Sequence, residues 1–249
     1  MVAGLRGGVD LNHLPPVSSP LWKHDRNYPR KGAGLIGVDE AGRGCLAGPV
    51  YAAAVFLPEP FFSHQWRSLR APKIDDSKKL TAKERETALE FLHRIRETDG
   101  VLFAFGSADV QEIKIHNILG ATTLAMSRAL EALGIDLQPS GLSLWTQKPD
   151  GTFYPPVLID GRPVRRLPYE HNALVKGDSL SLTIALASVV AKVERDRWMA
   201  KAHDQYSAYG WARNRGYGTE EHRRALLENG PSPLHRELFL RKILGKSSG

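Results

Sequence analysis

Four acidic side chains stand where an apolar segment of the chain ends or a tight turn begins. They are Asp39 and Glu40 after residues 35–38, Asp160 after residues 157–159, and Asp178 after Gly177. Carboxylate oxygens are the ligands that Mg²⁺ and Mn²⁺ prefer. Two such ions, about 4 Å apart, can hold the attacking and leaving oxygens of a phosphodiester. If the four acids converge at one edge of a sheet, the pattern predicts metal-dependent phosphodiester hydrolysis.

Each acid also has an ordinary structural explanation. Asp178 can be the N-cap of the helix that follows it, and Asp160 with Gly161 can form a turn. The adjacent pair of Asp39 and Glu40 is harder to explain in this way, because two acids at the end of a buried strand are costly without a partner. From position alone, both a metal site and structural roles stay open.

The tripeptide Gly42-Arg43-Gly44 directly follows the first two acids. Glycine lets a backbone approach a ligand closely because it has no side chain. The backbone N–H groups and the guanidinium of Arg43 can then meet a phosphate or a sugar hydroxyl. A plain glycine-rich turn is the alternative, and the tripeptide by itself does not decide between the two.

Short apolar strands alternate with longer helices from residue 34 onward. Strands are predicted at 35–38, 49–57, 101–105 and 157–159, and helices at 82–97, 116–133, 179–199 and from Thr219. Thr81 and Glu84 have the spacing of a capping box at the first of these helices. Residues 138–155 are rich in proline and glycine and indicate a long loop or a hairpin. The order predicts an α/β or mixed α+β domain followed by a helical C-terminal region.

The composition is that of a basic soluble protein. The 249 residues carry a formal net charge of +7, with a pI near 9.5, which favours polyanionic partners. A single cysteine, Cys45, excludes a disulfide within the chain. The longest apolar run, residues 50–57, is far shorter than the roughly 20 residues that span a bilayer. We therefore expect a cytoplasmic protein with no membrane segment and no secretory leader.

Taken together and in order, these segments resemble ribonuclease HII, the type 2 ribonuclease H family. The resemblance runs from about residue 35 to residue 240. It is carried by residues 37–44 with 46–50, 76–80, 116–119, 158–161, 176–178 with 184–196, 216–219 with His222, and 231–236. The first of these, Gly-Val-Asp-Glu-Ala-Gly-Arg-Gly, is the most specific.

The resemblance implies a ribonuclease H-like fold, in which a mixed five-stranded sheet is flanked by helices and followed by a helical C-terminal part. It implies that four acids bind metal and are catalytic, with two Mn²⁺ or Mg²⁺ ions per active site: Asp39, Glu40, Asp160 and Asp178. It implies that three residues read the ribonucleotide 2′-OH and nearby phosphates: Gly42, Arg43 and Gly44. The 2′-OH is what distinguishes RNA from DNA at a site. Tyr217 would pack on the sugar beyond an RNA–DNA junction.

Four cations are further candidates for substrate binding: Lys78, Lys79, Lys192 and Arg215. Ordinary roles stay open for them, because a lysine pair before a helix is usually solvated, and Lys192 can form an i,i+4 pair with Asp196. The chain also departs from the family pattern. Cys45 stands where proline is usual, Thr183 where serine is usual, and Leu186 where alanine is usual. None of these changes removes one of the four acids.

The implied activity is that of an endoribonuclease. It would hydrolyse the RNA strand of RNA–DNA hybrids and cut on the 5′ side of ribonucleotides embedded in DNA duplexes, leaving 3′-OH and 5′-phosphate ends. Its partners would be these two nucleic acids, and the chain would be a monomer. A noncatalytic nucleic-acid-binding module on the same fold is the alternative. A nucleotidyl transferase is disfavoured because the chain has no Gly-x-x-x-x-Gly-Lys motif.

The sequence predicts that the chain has three parts. Residues 1–31 contain four prolines and are predicted to be an extended or disordered arm, whose end Trp22 and Tyr28 can pin to the body. Residues 32–243 form a single catalytic domain, with the helical substrate-binding part from about residue 205. Residues 244–249 are predicted to be a disordered tail.

Overall fold

The computed structural model describes most of the predicted catalytic domain. The described residues are 20–30, 33–62, 74, 77–138, 143–147, 153–241 and 243–245, with residues 143–147 and 153–154 described by their backbone alone. The first residue of the predicted 76–80 motif, Asp76, lies outside them, as do residues 1–19 of the predicted arm and 246–249 of the predicted tail.

A mixed five-stranded sheet forms the centre of the molecule, as predicted. The strands are β1 (Leu35–Ala41), β2 (Val50–Leu57), β3 (Leu102–Ala108), β4 (Ser143–Gln147), β5 (Phe153–Tyr154), β6 (Val157–Asp160) and β7 (Asn172–Leu174). Their order in the large sheet is β3-β2-β1-β6-β7, and β4 pairs with β5 in a separate hairpin. The first three strands form an antiparallel meander, whereas β6 and β7 run parallel to β1.

Helices cover both faces of this sheet. They are α1 (Pro20–Asn27), α2 (Ala82–Asp99), α3 (Val110–Leu137), α4 (Leu182–Gln205), α5 (Trp211–Asn214), α6 (Glu220–Asn229) and α7 (Glu237–Leu240). Alternate residues of β1 point to opposite faces. Leu35 therefore packs with α2 and α4, while Ile36 and Val38 pack with α3. Because both faces are covered, every residue of β2 is buried, which explains its unbroken apolar sequence.

Helix α3 is longer than the sequence pattern predicts. It begins at Val110, where Asp109 and Glu112 form a capping box, and not at residue 116. Asn117, with φ 55° and ψ 176°, breaks the helical conformation, and its side chain accepts hydrogen bonds from the N–H groups of Leu119 and Gly120. The predicted helix is thus the part that follows this kink. By composition α3 is apolar enough to cross a membrane, but its apolar face packs on the sheet.

The end of the predicted arm is helical rather than extended. Helix α1 packs against the body through Leu21 in the core, with Trp22 and Tyr28 partly buried beside it, as predicted for these two aromatics. The carboxylate of Asp25 is fully buried and accepts hydrogen bonds from the backbone N–H and the hydroxyl of Thr183, at 2.8 and 2.6 Å. Threonine in place of the usual serine therefore keeps the hydroxyl that fastens α1 to the start of α4.

Replacing Asp25 with alanine is expected to lower the free energy of unfolding by about 3 kcal/mol, because two buried donors of Thr183 lose their acceptor. Urea denaturation of the wild type and of the Asp25→Ala variant measures the difference. The Asp204→Ala variant is the control, since Asp204 lies exposed on α4. Equal stabilities of the two variants would show that the buried contact contributes nothing.

A third apolar cluster joins the loop after β1 to the C-terminal helices. Leu46 and Ala47 of that loop pack with Met199 of α4, Trp211 of α5 and Leu226 of α6. The backbone of the same loop also pairs with the C-terminal segment, since Leu46 donates to the carbonyl of Gly216 and accepts from the N–H of Arg236. The loop that follows the first two acids is therefore held by the C-terminal region.

Candidate active site

Three of the predicted acids converge at one edge of the sheet. Asp39 lies on β1, Asp160 ends the neighbouring parallel strand β6, and Asp178 lies in the 3₁₀ turn Gly177–Ser179 that precedes α4. Each offers a carboxylate oxygen within 4.8 Å of the others. The turn is fixed to the strand because the N–H of Gly177 donates to Asp160 Oδ1 at 2.6 Å. These three oxygens form a donor set for a hard divalent cation.

The capping explanation of Asp178 does not hold. Helix α4 begins at Leu182, and its N-cap is Ser181, whose hydroxyl oxygen accepts a hydrogen bond from the N–H of Ile184. Asp178 is buried in the preceding turn, and its Oδ2 lies 3.2 Å from Lys78 Nζ. Its carboxylate is therefore directed to the cluster and not to the helix end.

The cluster is electrostatically unfavourable without a bound cation. Burial raises the pKa of Asp39 well above its ordinary value, and the charges of Glu40 and Asp160 raise it further. Burial likewise raises the pKa of Asp160, and the nearby carboxylate of Asp178 adds to this, while hydrogen bonds from the turn oppose it. Like charges brought together in a low dielectric disfavour ionisation. A divalent cation would relieve this repulsion, so the donor set and its charge fit a metal site.

Glu40, the fourth predicted acid, lies apart from the three-carboxylate group. Adjacent residues of a strand point to opposite faces, and Glu40 Oε1 accepts a hydrogen bond from Arg43 Nη1 at 2.9 Å. Burial raises the pKa of Glu40, the ion pair with Arg43 lowers it, and the charge of Asp160 raises it again. Glu40 is thus close enough to Asp160 to sense its charge, but its carboxylate is held by Arg43.

The glycine-rich tripeptide has two different environments. Gly42 is buried with φ +93°, and a Cβ built there would lie 1.9 Å from Arg195 Nε. In the structure this glycine allows the close approach of an internal arginine, and its predicted contact with a ligand stays a prediction. Gly44 is exposed and has open space around its Cα, and the Arg43 side chain is about half exposed. Residues 43–44 are the part of the tripeptide that faces solvent.

Tyr217 lies at the surface beside this loop. It is 40% exposed, and its ring faces Lys192 Nζ at 5.3 Å and Arg195 Cζ at 5.7 Å from the ring centroid. Its hydroxyl interacts with the thiol of Cys45, and burial raises the pKa of both groups. Cys45, which is fully buried, thus gains a specific contact that proline at this position would lack.

The four candidate cations are distributed unequally. Lys78 lies beside Asp178, and Lys79 is exposed next to it. Lys192 forms the i,i+4 pair with Asp196, at 2.6 Å, and Arg215 Nη1 donates to the backbone carbonyl of Asp196 at 3.3 Å. The structure therefore places Lys78 at the carboxylates, while Lys192 and Arg215 lie by Tyr217.

Sequence reasoning missed two contributors to the site. The hydroxyl of Ser188, on α4, interacts with the carboxylate of Asp39 and lowers its pKa, and it lies 2.6 Å from the hydroxyl of Ser77. Arg195 is fully buried between the loop after β1 and Tyr217. A small polar residue on an apolar helix gives no sequence signal of its own. Arg195 lies within the motif of residues 184–196, but the sequence does not indicate what it does there.

Comparison with known proteins identifies a family. The family model for ribonuclease HII matches residues 36–242 of the chain. The chain belongs to the ribonuclease HII family. It is 43% identical over 225 residues to ribonuclease HII of Zymomonas mobilis, covering 90% of this chain and 93% of that protein. It is 40% identical over 245 residues to ribonuclease HII of Myxococcus xanthus, covering 97% and 72%.

Solved structures of related proteins have the same fold. The crystal structure of ribonuclease H2 from Pyrococcus horikoshii OT3 matches with a TM-score of 0.60 at 24% identity, covering 84% of this chain and 96% of that one. Bst-RNase HIII in complex with Mn²⁺ matches with a TM-score of 0.61 at 20% identity, covering 93% and 73%. The predicted family and fold are thus confirmed, and the ribonuclease HII chain is an endonuclease that hydrolyses RNA in RNA–DNA hybrids.

Two buried histidines, His222 and His235, hold the backbone of Tyr217 in place. His222 Nδ1–H donates to the carbonyl of Tyr217 at 2.9 Å, and its Nε2 accepts from Trp211 Nε1–H. His235 Nε2 lies 3.0 Å from His222 Nε2, and its Nδ1 accepts from the N–H of Ser232. Both imidazoles are therefore neutral. Burial lowers the pKa of His222, and burial with the neighbouring His222 lowers the pKa of His235 to about 4.

This pair makes the stability of the folded protein sensitive to acid. Between pH 6.5 and about 4, the unfolded chain binds protons that the folded His235 excludes. The contribution of His235 to the free energy of unfolding is therefore fully present above pH 6.5 and is lost as the pH drops through this window. Urea midpoints at pH 7 and pH 5 are expected to differ less in His235→Asn than in the wild type. His116→Asn, at an exposed histidine, should behave as the wild type, and an undiminished difference in His235→Asn would contradict the assignment.

Proposed function

We propose that this protein cuts on the 5′ side of ribonucleotides embedded in DNA duplexes, as well as within RNA–DNA hybrids, and leaves 3′-OH and 5′-phosphate ends. The observation that carries the proposal is the placement of three convergent carboxylates beside a solvent-facing loop, residues 43–44, and a half-exposed aromatic ring, Tyr217. A site that hydrolyses one phosphodiester next to a particular sugar needs its metal-binding carboxylates and its sugar-contacting residues close together.

The proposed metal ligands are the carboxylates of Asp39, Asp160 and Asp178, with Glu40 joining them when its contact with Arg43 opens. We infer that two Mg²⁺ or Mn²⁺ ions are used, because four carboxylates supply enough oxygens for a pair. Such cations supply Lewis acidity to the scissile phosphate and lower the pKa of water. Lys78 balances part of the acidic charge at Asp178.

The protein itself would select the ribonucleotide. The exposed backbone at Gly44 and the guanidinium of Arg43 can donate hydrogen bonds to a 2′-OH and its flanking phosphates. The ring of Tyr217 can pack on the neighbouring sugar, with Lys192 and Arg215 beside it for backbone phosphates. Lys79, which is exposed next to Lys78, would add a further phosphate contact. We further propose that the chain works as a cytoplasmic monomer in DNA replication and repair.

Cleavage of a DNA duplex that contains one ribonucleotide tests this proposal. We expect one cut, on the 5′ side of the ribonucleotide, with Mg²⁺ or Mn²⁺ and none with EDTA. A 3′-OH on the upstream product, shown by polymerase extension, is the expected end chemistry. The all-DNA duplex of the same sequence is the control. Metal-independent cutting would contradict the metal mechanism, and binding without cleavage under any condition would favour the noncatalytic module.

A further inference from the structure

One buried side chain fastens together the two loops that carry the proposed ribose contacts. Arg195, on α4, is fully buried. Its Nε donates to the carbonyl of Pro49 at 3.0 Å and its Nη2 to that of Ala47 at 3.1 Å, both in the loop after β1. Its Nη1 donates to the carbonyl of Arg215 at 2.9 Å, two residues before Tyr217. The guanidinium thus bridges the loop of residues 42–49 and the loop of residues 215–217.

The same guanidinium also contacts Tyr217 and the backbone next to the exposed residues 43–44. Its Cζ lies 5.7 Å from the centroid of the Tyr217 ring. On the other side it occupies the space where a Cβ of Gly42 would be, 1.9 Å from Nε. Any displacement of Arg195 therefore reaches the backbone of the glycine-rich tripeptide and the face of the aromatic ring together.

Arginine is suited to this position for a chemical reason. Its planar guanidinium presents five N–H donors in a fixed fork, whereas lysine presents its donors at one point. Three carbonyl acceptors on two loops can be reached from the fork at once. Arg236, the other buried arginine here, donates to the carbonyls of Gly48 and Arg43, which both belong to the first loop. Arg236 supports that loop, but Arg195 spans the two.

We propose that Arg195 is a positioning residue that sets the first loop and Tyr217 at the separation needed to address one ribose. This inference rests on the proposed function, because it assumes that residues 43–44 and Tyr217 contact the same ribonucleotide step. Arg195 does not touch the substrate. Its contribution is to ribonucleotide selectivity and not to the metal site, whose carboxylates contact other residues.

Selectivity is measured as a ratio that unfolding does not affect. The dissociation constants of an all-DNA duplex and of the same duplex with one ribonucleotide are compared in EDTA, where no cleavage is expected. If part of the sample is unfolded, both apparent dissociation constants rise by the same factor. Their ratio therefore reports only the geometry of the folded site. Arg195→Met removes the donors, Arg195→Lys keeps the charge, and Arg197→Met, at an exposed position of the same helix, is the control.

We expect the ratio to fall about tenfold in Arg195→Met, since several hydrogen bonds to a charged group are lost, and less in Arg195→Lys. Arg197→Met should match the wild type, and all four proteins should bind Mn²⁺ equally. Because Arg195→Lys keeps a buried cation, it remains the test if Arg195→Met does not fold. An unchanged ratio in the Arg195 variants would overturn the positioning role alone. A wild type with no preference for the ribonucleotide duplex would overturn both this inference and the proposed 2′-OH recognition.

Discussion

Asp39→Asn is expected to abolish cleavage, with a loss in kcat of about a thousandfold or more, because metal-ion catalysis contributes several kcal/mol to stabilising the transition state. Asp39 is buried at the centre of the carboxylate group, within 4.8 Å of Asp160 and Asp178 through its carboxylate oxygens. Asparagine keeps the size of the side chain and the oxygen that accepts from the N–H of Glu40 at 2.7 Å. The change therefore removes a charge with little change in packing.

The stability of this variant separates lost chemistry from lost folding. The pKa of Asp39 is raised in the folded protein, so without metal this carboxyl group contributes most to stability below its ordinary pKa, and that contribution is lost as the pH rises through the raised value. Asp39→Asn lacks this loss. Without metal at pH 8, its free energy of unfolding should be at least as large as that of the wild type. Single-turnover cleavage and urea unfolding measure the two properties, with the exposed Asp204→Asn as the control. Appreciable turnover in a folded Asp39→Asn would refute the assigned role.

Tyr217→Ala is expected to lower kcat/KM on a single-ribonucleotide duplex by about fivefold to 150-fold, because stacking of an aromatic side chain contributes about 1–3 kcal/mol. The ring is 40% exposed and lies between the open loop and the cations Lys192 and Arg195. Its loss removes a contact to the sugar but no metal ligand. The affinity for Mn²⁺ should therefore be unchanged.

Tyr217→Phe is the matched comparison for this prediction. It keeps the ring and removes the hydroxyl that interacts with the thiol of Cys45. We expect its kcat/KM to lie close to that of the wild type, since the ring carries most of the effect. If the alanine variant were as active as the phenylalanine variant, the tyrosine would have no role in substrate binding.

Local sequence signals predicted much of the fold. The spacing of Thr81 and Glu84 predicted a capping box, and both of its hydrogen bonds are present. The apolar segments before Asp39 and Asp160 predicted strands whose ends would bring acids together, and β1 and β6 are parallel neighbours. These signals succeed because helix caps and buried strands are determined by residues close together in the chain.

Contacts between distant parts of the chain could not be predicted in this way. Asp25 fastens α1 to Thr183, and Arg195 occupies the space above Gly42, although nothing near either residue in sequence identifies its partner. The pairing of Glu40 with Arg43, which separates it from the other carboxylates, depends on side-chain direction at the end of β1. Such choices follow from tertiary packing, which a one-dimensional pattern does not contain.

The departures from the family pattern also became clear only in three dimensions. Leu186, where alanine is usual, is fully buried in the apolar layer between the sheet and α4. Cys45 is buried, and its thiol interacts with the hydroxyl of Tyr217. Sequence alone marked both positions as unusual, but the neighbours that accommodate them come from other segments of the chain.

Location of bound Mn²⁺ tests the central claim most directly. Crystals of the wild type soaked in Mn²⁺, with diffraction recorded near the manganese absorption edge, give an anomalous difference map that shows the ion without reference to activity. We predict a peak enclosed by the carboxylates of Asp39, Asp160 and Asp178, and its loss in Asp39→Asn. A fully soaked crystal with no peak among these three side chains, or with its strongest peak elsewhere, would contradict the account of the site.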